Sequence, residues 1–131
     1  METGTLLILF ESGKATLDDA ADALQQRAFG VEKRTLETGG NVLTARYDSG
    51  PVFHVCFNDA AHVVEESREI GNGSDFTEPL GRCNVRFEVI IEDLDQAIDE
   101  MNSLIELQLT LQSLTGGFIY NCWNGELSEP E

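Results

Sequence analysis

The chain has 131 residues with 24 acidic and 8 basic side chains, a formal charge of −16 at pH 7. This charge argues against nucleic acid and anionic membranes as partners, because both would repel the chain, and it favours a basic protein. No stretch approaches the ~20 apolar residues of a membrane-spanning helix. At this length we expect one domain, residues 1–127, followed by a short acidic tail, residues 128–131.

The first half of the chain predicts one strand, one helix and three further strands. The apolar run at residues 6–10 is typical of a strand covered on both faces. Thr16 is typical of a helix N-cap and Gly30 of a helix end, which places a helix at residues 17–29. Two glycine-rich or proline-containing turns then separate three short strands. These strands are predicted at residues 31–37, 42–47 and 52–57.

The second half is expected to alternate helices and strands. Asn58 or Asp59 is expected to cap a helix at residues 60–70, and a glycine-rich loop at residues 71–83 follows. Residues 84–91 alternate as a strand does. Residues 94–115 have apolar side chains at helical spacing behind the capping box of Asp93 and Gln96, so they predict one long helix. A strand across residues 105–111 stays open as the alternative, and residues 118–123 are the last predicted strand.

This order of elements, β-α-β-β-β-α-β-α-β, predicts the α+β class. We expect a mostly antiparallel sheet with the helices packed on one face. The simplest scheme is a ferredoxin-like split β-α-β core with one helix and one strand added.

The three cysteines, Cys56, Cys83 and Cys122, are too few and too widely spaced for a disulfide framework. The N-terminal segment has no basic region before its short apolar run, so we expect no signal peptide. Together these features predict a cytoplasmic protein with free thiols. Each cysteine is expected to be a small buried residue, although a bridge from Cys83 to Cys56 or to Cys122 stays open.

Few residues are candidates for chemistry. His54 and Cys56 are two apart on a strand and share a face, and His62 follows on the next helix. A metal site would need a carboxylate such as Asp59, and this spacing matches no zinc motif. The chain has no nucleophile elbow, phosphate-binding loop or dinucleotide fingerprint. We therefore predict no catalytic residue, no metal and no cofactor, and an enzyme that uses His54 or a cysteine is the least favoured interpretation.

The last 44 residues contain ten acidic residues and no Lys or Arg. In a helix over residues 94–115, Asp95, Asp99 and Glu106 share one stripe. The stripe is either an ordinary solvated face or a surface that steers a basic partner. Tyr120 and Trp123, with Tyr47 and His54, are candidates for aromatic anchors on an open sheet face, unless they pack under the long loop. The predicted partner-binding residues are Glu92, Asp93, Asp95, Asp99, Glu106, Tyr120 and Trp123.

The run from Leu111 to Asn121 places Gly116 and Gly117 between a helix end and an aromatic strand. In this feature, and as a small acidic α+β chain, the protein resembles immunity proteins of bacterial toxin systems at class level. The resemblance implies a non-catalytic protein that binds and blocks a basic toxin, and it assigns no functional residues. The alternative is a ligand-binding or regulatory module on a ferredoxin-like scaffold, dimeric and with its ligand near residues 71–83. Fold alone does not decide between them.

Overall fold

The computed structural model describes residues 2–130, which contain seven strands and five helices. The strands are β1 (Gly4–Phe10), β2 (Gly30–Thr35), β3 (Asn41–Arg46), β4 (Val52–Asn58), β5 (Val85–Ile91), β6 (Phe118–Asn121) and β7 (Glu126–Ser128). The helices are α1 (Leu17–Gln26), α2 (His62–Gly71), α3 (Thr77–Gly81), α4 (Leu94–Asp99) and α5 (Met101–Thr115). The protein is therefore of the predicted α+β class. Within residues 2–130, no helix combines the length and apolarity needed to cross a membrane.

All seven strands form one sheet in the order β2-β3-β4-β5-β1-β6-β7. Every neighbouring pair is antiparallel, as predicted for most of the sheet. It follows that β1 and β4 run parallel to each other with β5 between them. In the same way, β5 and β6 run parallel with β1 between them.

Helices cover both faces of the sheet, and the prediction of helices on one face is wrong. On the first face, Leu6 and Ile8 of β1 pack with α1, α4 and α5 in the larger core. On the opposite face, Leu7 and Leu9 pack with Leu80 of α3 and with the end of α2. Because side chains alternate across a strand, the continuous apolar run of β1 needs cover on both sides. We call these the α1–α5 face and the α2–α3 face.

Helix α1 begins as predicted and ends earlier than predicted. The Thr16 side chain accepts a hydrogen bond from the Asp19 amide, and Asp19 accepts one from the Thr16 amide, which completes a capping box. Ala28, and not Gly30, takes the left-handed conformation after the helix, with φ 70°. Gly30 is instead the first residue of β2. The early stop turns Phe29 into the core, where its ring lies 6.5 Å from that of Phe53.

The segment that follows β4 contains more helix than predicted. Helix α2 begins at His62 with Ala61 at its N-cap and no side-chain cap, so neither Asn58 nor Asp59 has the predicted role. The predicted loop at residues 71–83 holds the short helix α3. A Cβ at Gly71 would lie 2.9 Å from the Leu80 Cβ, so this glycine lets the two helices approach closely.

The predicted long helix is two helices. Asp93 caps α4 as expected, accepting a hydrogen bond from the Gln96 amide at 3.1 Å. Glu100 leaves the helical conformation, with φ −110° and ψ 56°, and α5 begins after it. The strand alternative for residues 105–111 is wrong, because all of them lie in α5.

The chain ends in a hairpin that the sequence did not predict. Strand β6 ends at Asn121, and β7 pairs with it beyond the turn at Asn124 and Gly125. The predicted tail begins inside this hairpin, because Ser128 is the last residue of β7. The Gln112 side chain also donates a hydrogen bond to the Glu129 carbonyl at 2.9 Å. Glu131, the last residue of that tail, lies outside the described residues.

Candidate functional site

The α2–α3 face carries a polar cluster around Arg86, whose side chain is only 8% exposed. The guanidinium lies 2.6 Å from Glu66 of α2 and 2.6 Å from Glu88 of β5. Asn58 of β4 donates a further hydrogen bond to Glu88 at 2.9 Å. A buried charge is tolerated only when it is paired and hydrogen-bonded. The cluster therefore ties α2 to the middle of the sheet.

Arg86 and Glu88 of this cluster are each stabilised in their ionised forms. Burial alone would raise the pKa of Glu88, but hydrogen bonds from Asn58 and Arg86 and the Arg86 charge outweigh it and lower that pKa. Burial alone would lower the pKa of Arg86, but hydrogen bonds to Glu66 and Glu88 outweigh it and raise that pKa. Neither group is poised to exchange a proton near neutral pH. The geometry of the cluster fits a structural role rather than acid–base catalysis.

All three cysteines lie within residues 2–130 and are free, so the bridges left open above are not formed. Cys83 is buried as predicted, but Cys56 is half-buried and Cys122 is exposed. Burial, with the nearby Glu11, raises the pKa of Cys83 to about 11 despite Arg82. Burial also raises the pKa of Cys56 and of Cys122. Because the thiolate is the reactive form, these surroundings disfavour a cysteine nucleophile.

The two histidines bind their neighbours on the α2–α3 face. His54 lies 2.9 Å from a Glu92 oxygen through Nε2 and 3.3 Å from the Thr44 hydroxyl through Nδ1. His62 lies 3.5 Å from the Asn58 side chain and 4.0 Å from Glu66. In the part of the chain that the structure describes, no three His, Cys, Asp or Glu side chains are grouped to hold a metal ion.

The acids predicted to bind a partner lie around α4 and α5. Asp95 is in the first turn of α4 and Asp99 is its last residue, and both are exposed. Neither they nor Asp93 form a salt bridge with a base among residues 2–130. Glu106 of α5 differs from them, because it binds Arg27 of α1 at 3.0 Å. Glu92 binds His54, as described above.

The turn between β3 and β4 brings further negative charge to α4. Asp48 of this turn and Asp99 and Glu100 of the helix junction line one groove of about 400 Å³. Tyr47 lines the same groove and packs against Phe29 at a ring distance of 5.6 Å. Three carboxylates therefore meet at this end of the sheet, beside one base, Arg46, whose guanidinium donates to the Ser49 and Gly50 carbonyls of the same turn. We call this surface the acidic end, defined by Asp48, Asp93, Asp95, Asp99 and Glu100.

The predicted aromatic anchors do not share one surface. Tyr120 packs beside Phe118 on the α2–α3 face, where His54 also lies. Trp123 packs against the larger core, on the side of α5. A groove of about 360 Å³ lies there between α5 and the last hairpin, lined by Trp123, Met101 and Ile98 among others. The structure thus places Trp123 beside apolar residues of α4 and α5, and Tyr120 on the other side of the sheet.

A row of exposed apolar residues on α4 and α5 was missed by sequence reasoning. Ile98, Met101, Ile105 and Leu109 are each 40–45% exposed. The sequence counted the first three among the apolar residues at helical spacing in one long helix, but Leu104, Leu107 and Leu111 form the buried face of α5. The signal was present, because α5 has more apolar residues than one buried face accommodates. We call these four residues the apolar stripe.

No protein-family model matches this chain, and no curated protein matches it significantly.

Proposed function

We propose that the chain is a non-catalytic binding protein, an inhibitor of the immunity type that docks a basic protein partner through the acidic end. The observation that carries the proposal is the set of exposed acids on α4 that have no salt bridge among the described residues. No Lys or Arg follows Arg86 in the chain to offset them. Concentrated like charge repels itself, but it attracts a basic partner and speeds its association.

The class of partner follows from the resemblance to immunity proteins. It implies a basic toxin, which the protein would block by covering its surface in the bacterial cytoplasm. Three free thiols are compatible with that reducing compartment. Of the other predicted partner-binding residues, Glu92, Glu106 and Trp123 stay part of this proposal as its rim. Tyr120 lies on the α2–α3 face and therefore outside this surface.

The scaffold of this protein is proposed to be a ferredoxin-like core. The strands β6, β1, β5 and β4 are neighbours in that order, and α1 and α5 contribute to the core on one face. This gives the split β-α-β pattern, with β2 and β3 inserted before β4 and with α2 and α3 inserted before β5. The insertions then account for helices on the second face.

The test is capture of the partner with two variants that have the same charge change. The first neutralises the acidic end with Asp95→Asn, Asp99→Asn and Glu100→Gln. The control neutralises three exposed acids elsewhere with Glu65→Gln, Glu69→Gln and Asp75→Asn. We expect the wild type and the control to retain a stoichiometric basic protein at low salt and to release it as salt rises. The proposal fails if no basic protein is retained, or if the two variants behave alike.

A groove at the start of α1 favours a second candidate function, a small-ligand-binding or regulatory module. It has a volume of about 510 Å³, within the range of ligand pockets, and exposed Phe57 lines it beside Gly13 and Asn41. Near the predicted location, the cavity that borders Pro79 and Arg82 has only about 280 Å³. A thermal-shift screen of small metabolites tests this candidate, with a stabilisation that Phe57→Ser abolishes as the expected result.

A further inference from the structure

We infer that the apolar stripe seats one amphipathic helix of the basic partner, with the Lys and Arg side chains of that helix over the neighbouring acids. The inference rests on the proposed function, which supplies a basic partner, and adds the element of the partner that is bound. It concerns four side chains that the protein leaves 40–45% exposed, which are Ile98, Met101, Ile105 and Leu109.

The geometry of the stripe fits a helix. Met101, Ile105 and Leu109 follow one another at intervals of four residues in α5, so they form a straight ridge. The ridge is about 12 Å long at the usual rise per residue. Ridges of this kind pack into the grooves between the corresponding ridges of another helix. Beside the ridge, the groove next to Trp123 offers room for side chains of the same partner helix.

The charge around the apolar stripe indicates which kind of helix binds it. Asp95 and Asp99 lie beside the stripe on α4, and neither forms a salt bridge with a base among residues 2–130, whereas Glu106 of α5 is already paired with Arg27. A symmetric contact with a second copy would bring these acids together between two chains of charge −16 each. That arrangement is repulsive, whereas Lys and Arg flanking an apolar helix face would pair with the same acids. The combination of an apolar centre and an acidic rim therefore points to a cationic amphipathic helix.

The probe is a synthetic peptide of about five helical turns with Leu on one face and Lys on the other. A second peptide with the same composition in an order that forms no apolar face is its control. Binding is measured by fluorescence anisotropy at about 0.15 M salt. We expect the amphipathic peptide to bind at least about tenfold more tightly than its control.

Matched variants of the protein locate the binding. Ile98 and Ile105 are each 42% exposed, and Ile90 on the opposite face of the sheet is 43% exposed. Ile98→Ser and Ile105→Ser should each weaken binding by about tenfold, while Ile90→Ser should leave it unchanged. Melting curves of the three variants confirm that each one is folded.

Different failures have different meanings. The helix seat is refuted if both peptides bind equally, or if all three Ile→Ser variants bind the peptide as the wild type does. In either case the proposed function would still be supported if the variant with Asp95→Asn, Asp99→Asn and Glu100→Gln no longer retains its basic protein partner. If the same variant retains the partner as well as its control does, the proposed function is refuted too. If neither peptide binds, the helix seat is refuted. A dimer of the free protein that Ile105→Ser dissociates in light scattering also refutes it, because the occupant would then be a second copy.

Discussion

The buried ion pair network gives the sharpest stability prediction. Arg86→Met removes the positive charge between Glu66 and Glu88 and keeps most of the apolar length of the side chain. Loss of a partner from a buried pair costs ~3–5 kcal/mol. The two carboxylates are 45% and 30% exposed and regain some hydration, so we expect a loss of about 2–3 kcal/mol of unfolding free energy. For a chain of this size the melting temperature should fall by roughly 10 °C.

The loss should depend on pH because the pKa of Glu88 is lowered in the folded protein. A carboxyl with a lowered folded pKa stabilises the protein above its unfolded pKa, and this stabilisation disappears as the pH falls through the folded pKa. Without Arg86, burial acts on Glu88 with less opposition and its pKa rises. The difference between wild type and Arg86→Met should therefore be largest near neutral pH and shrink below about pH 4.

Urea denaturation followed by circular dichroism, at neutral and at acid pH, measures both effects. Arg82→Met is the control, because the pair of Arg82 with Glu78 is 3.5 Å long and both side chains are largely exposed. Such surface pairs contribute ~0–1 kcal/mol. The reasoning is refuted if Arg86→Met unfolds at the same urea concentration as the wild type at neutral pH. It is also refuted if the loss is equal at both pH values.

Three further predictions test local features. Ala28→Gly should raise the denaturation midpoint, because Ala28 has φ 70° and glycine relieves strain of about 1 kcal/mol there. Gly117→Ala should cost at least ~1–3 kcal/mol of stability, because its Cβ would lie 2.5 Å from a β1 carbonyl. Gly81→Ala is the control: its Cβ would meet nothing within 4 Å, so it should be nearly neutral in the same assay. In mass spectrometry of the native protein, a thiol reagent should modify exposed Cys122 first and buried Cys83 only after unfolding, and equal rates would contradict this.

The elements that the sequence predicted well depend on local signals. Alternation of apolar side chains and turn residues placed β3, β4 and β5 within a residue or so of their ends. The cap at Thr16 placed the start of α1, because its capping box joins residues only three positions apart. Neither inference requires knowledge of contacts between residues far apart in the sequence.

The features that the sequence did not predict depend on contacts between distant residues. The spacing of apolar residues within α2 and α3 does not show which of the two faces of the sheet these helices cover. Arg86 occupies a position of β5 that the alternation of side chains predicts to be exposed. It is buried in the folded protein, where it binds Glu66 of α2. The break at Glu100 is of the same kind, because α4 and α5 each bury a different set of side chains in the core. A helical period alone cannot show where one such set ends.

The apolar stripe and the acidic end are each too weak to bind a partner alone. Covering the exposed two-fifths of four aliphatic side chains contributes roughly 3–5 kcal/mol by removal of apolar surface from water. Association itself costs about 4–15 kcal/mol of translational and rotational freedom. Steering by exposed acids raises the association rate more than it holds the complex together. A partner that is apolar but uncharged, or basic but without an apolar face, would therefore bind weakly, and the surface favours one that is both.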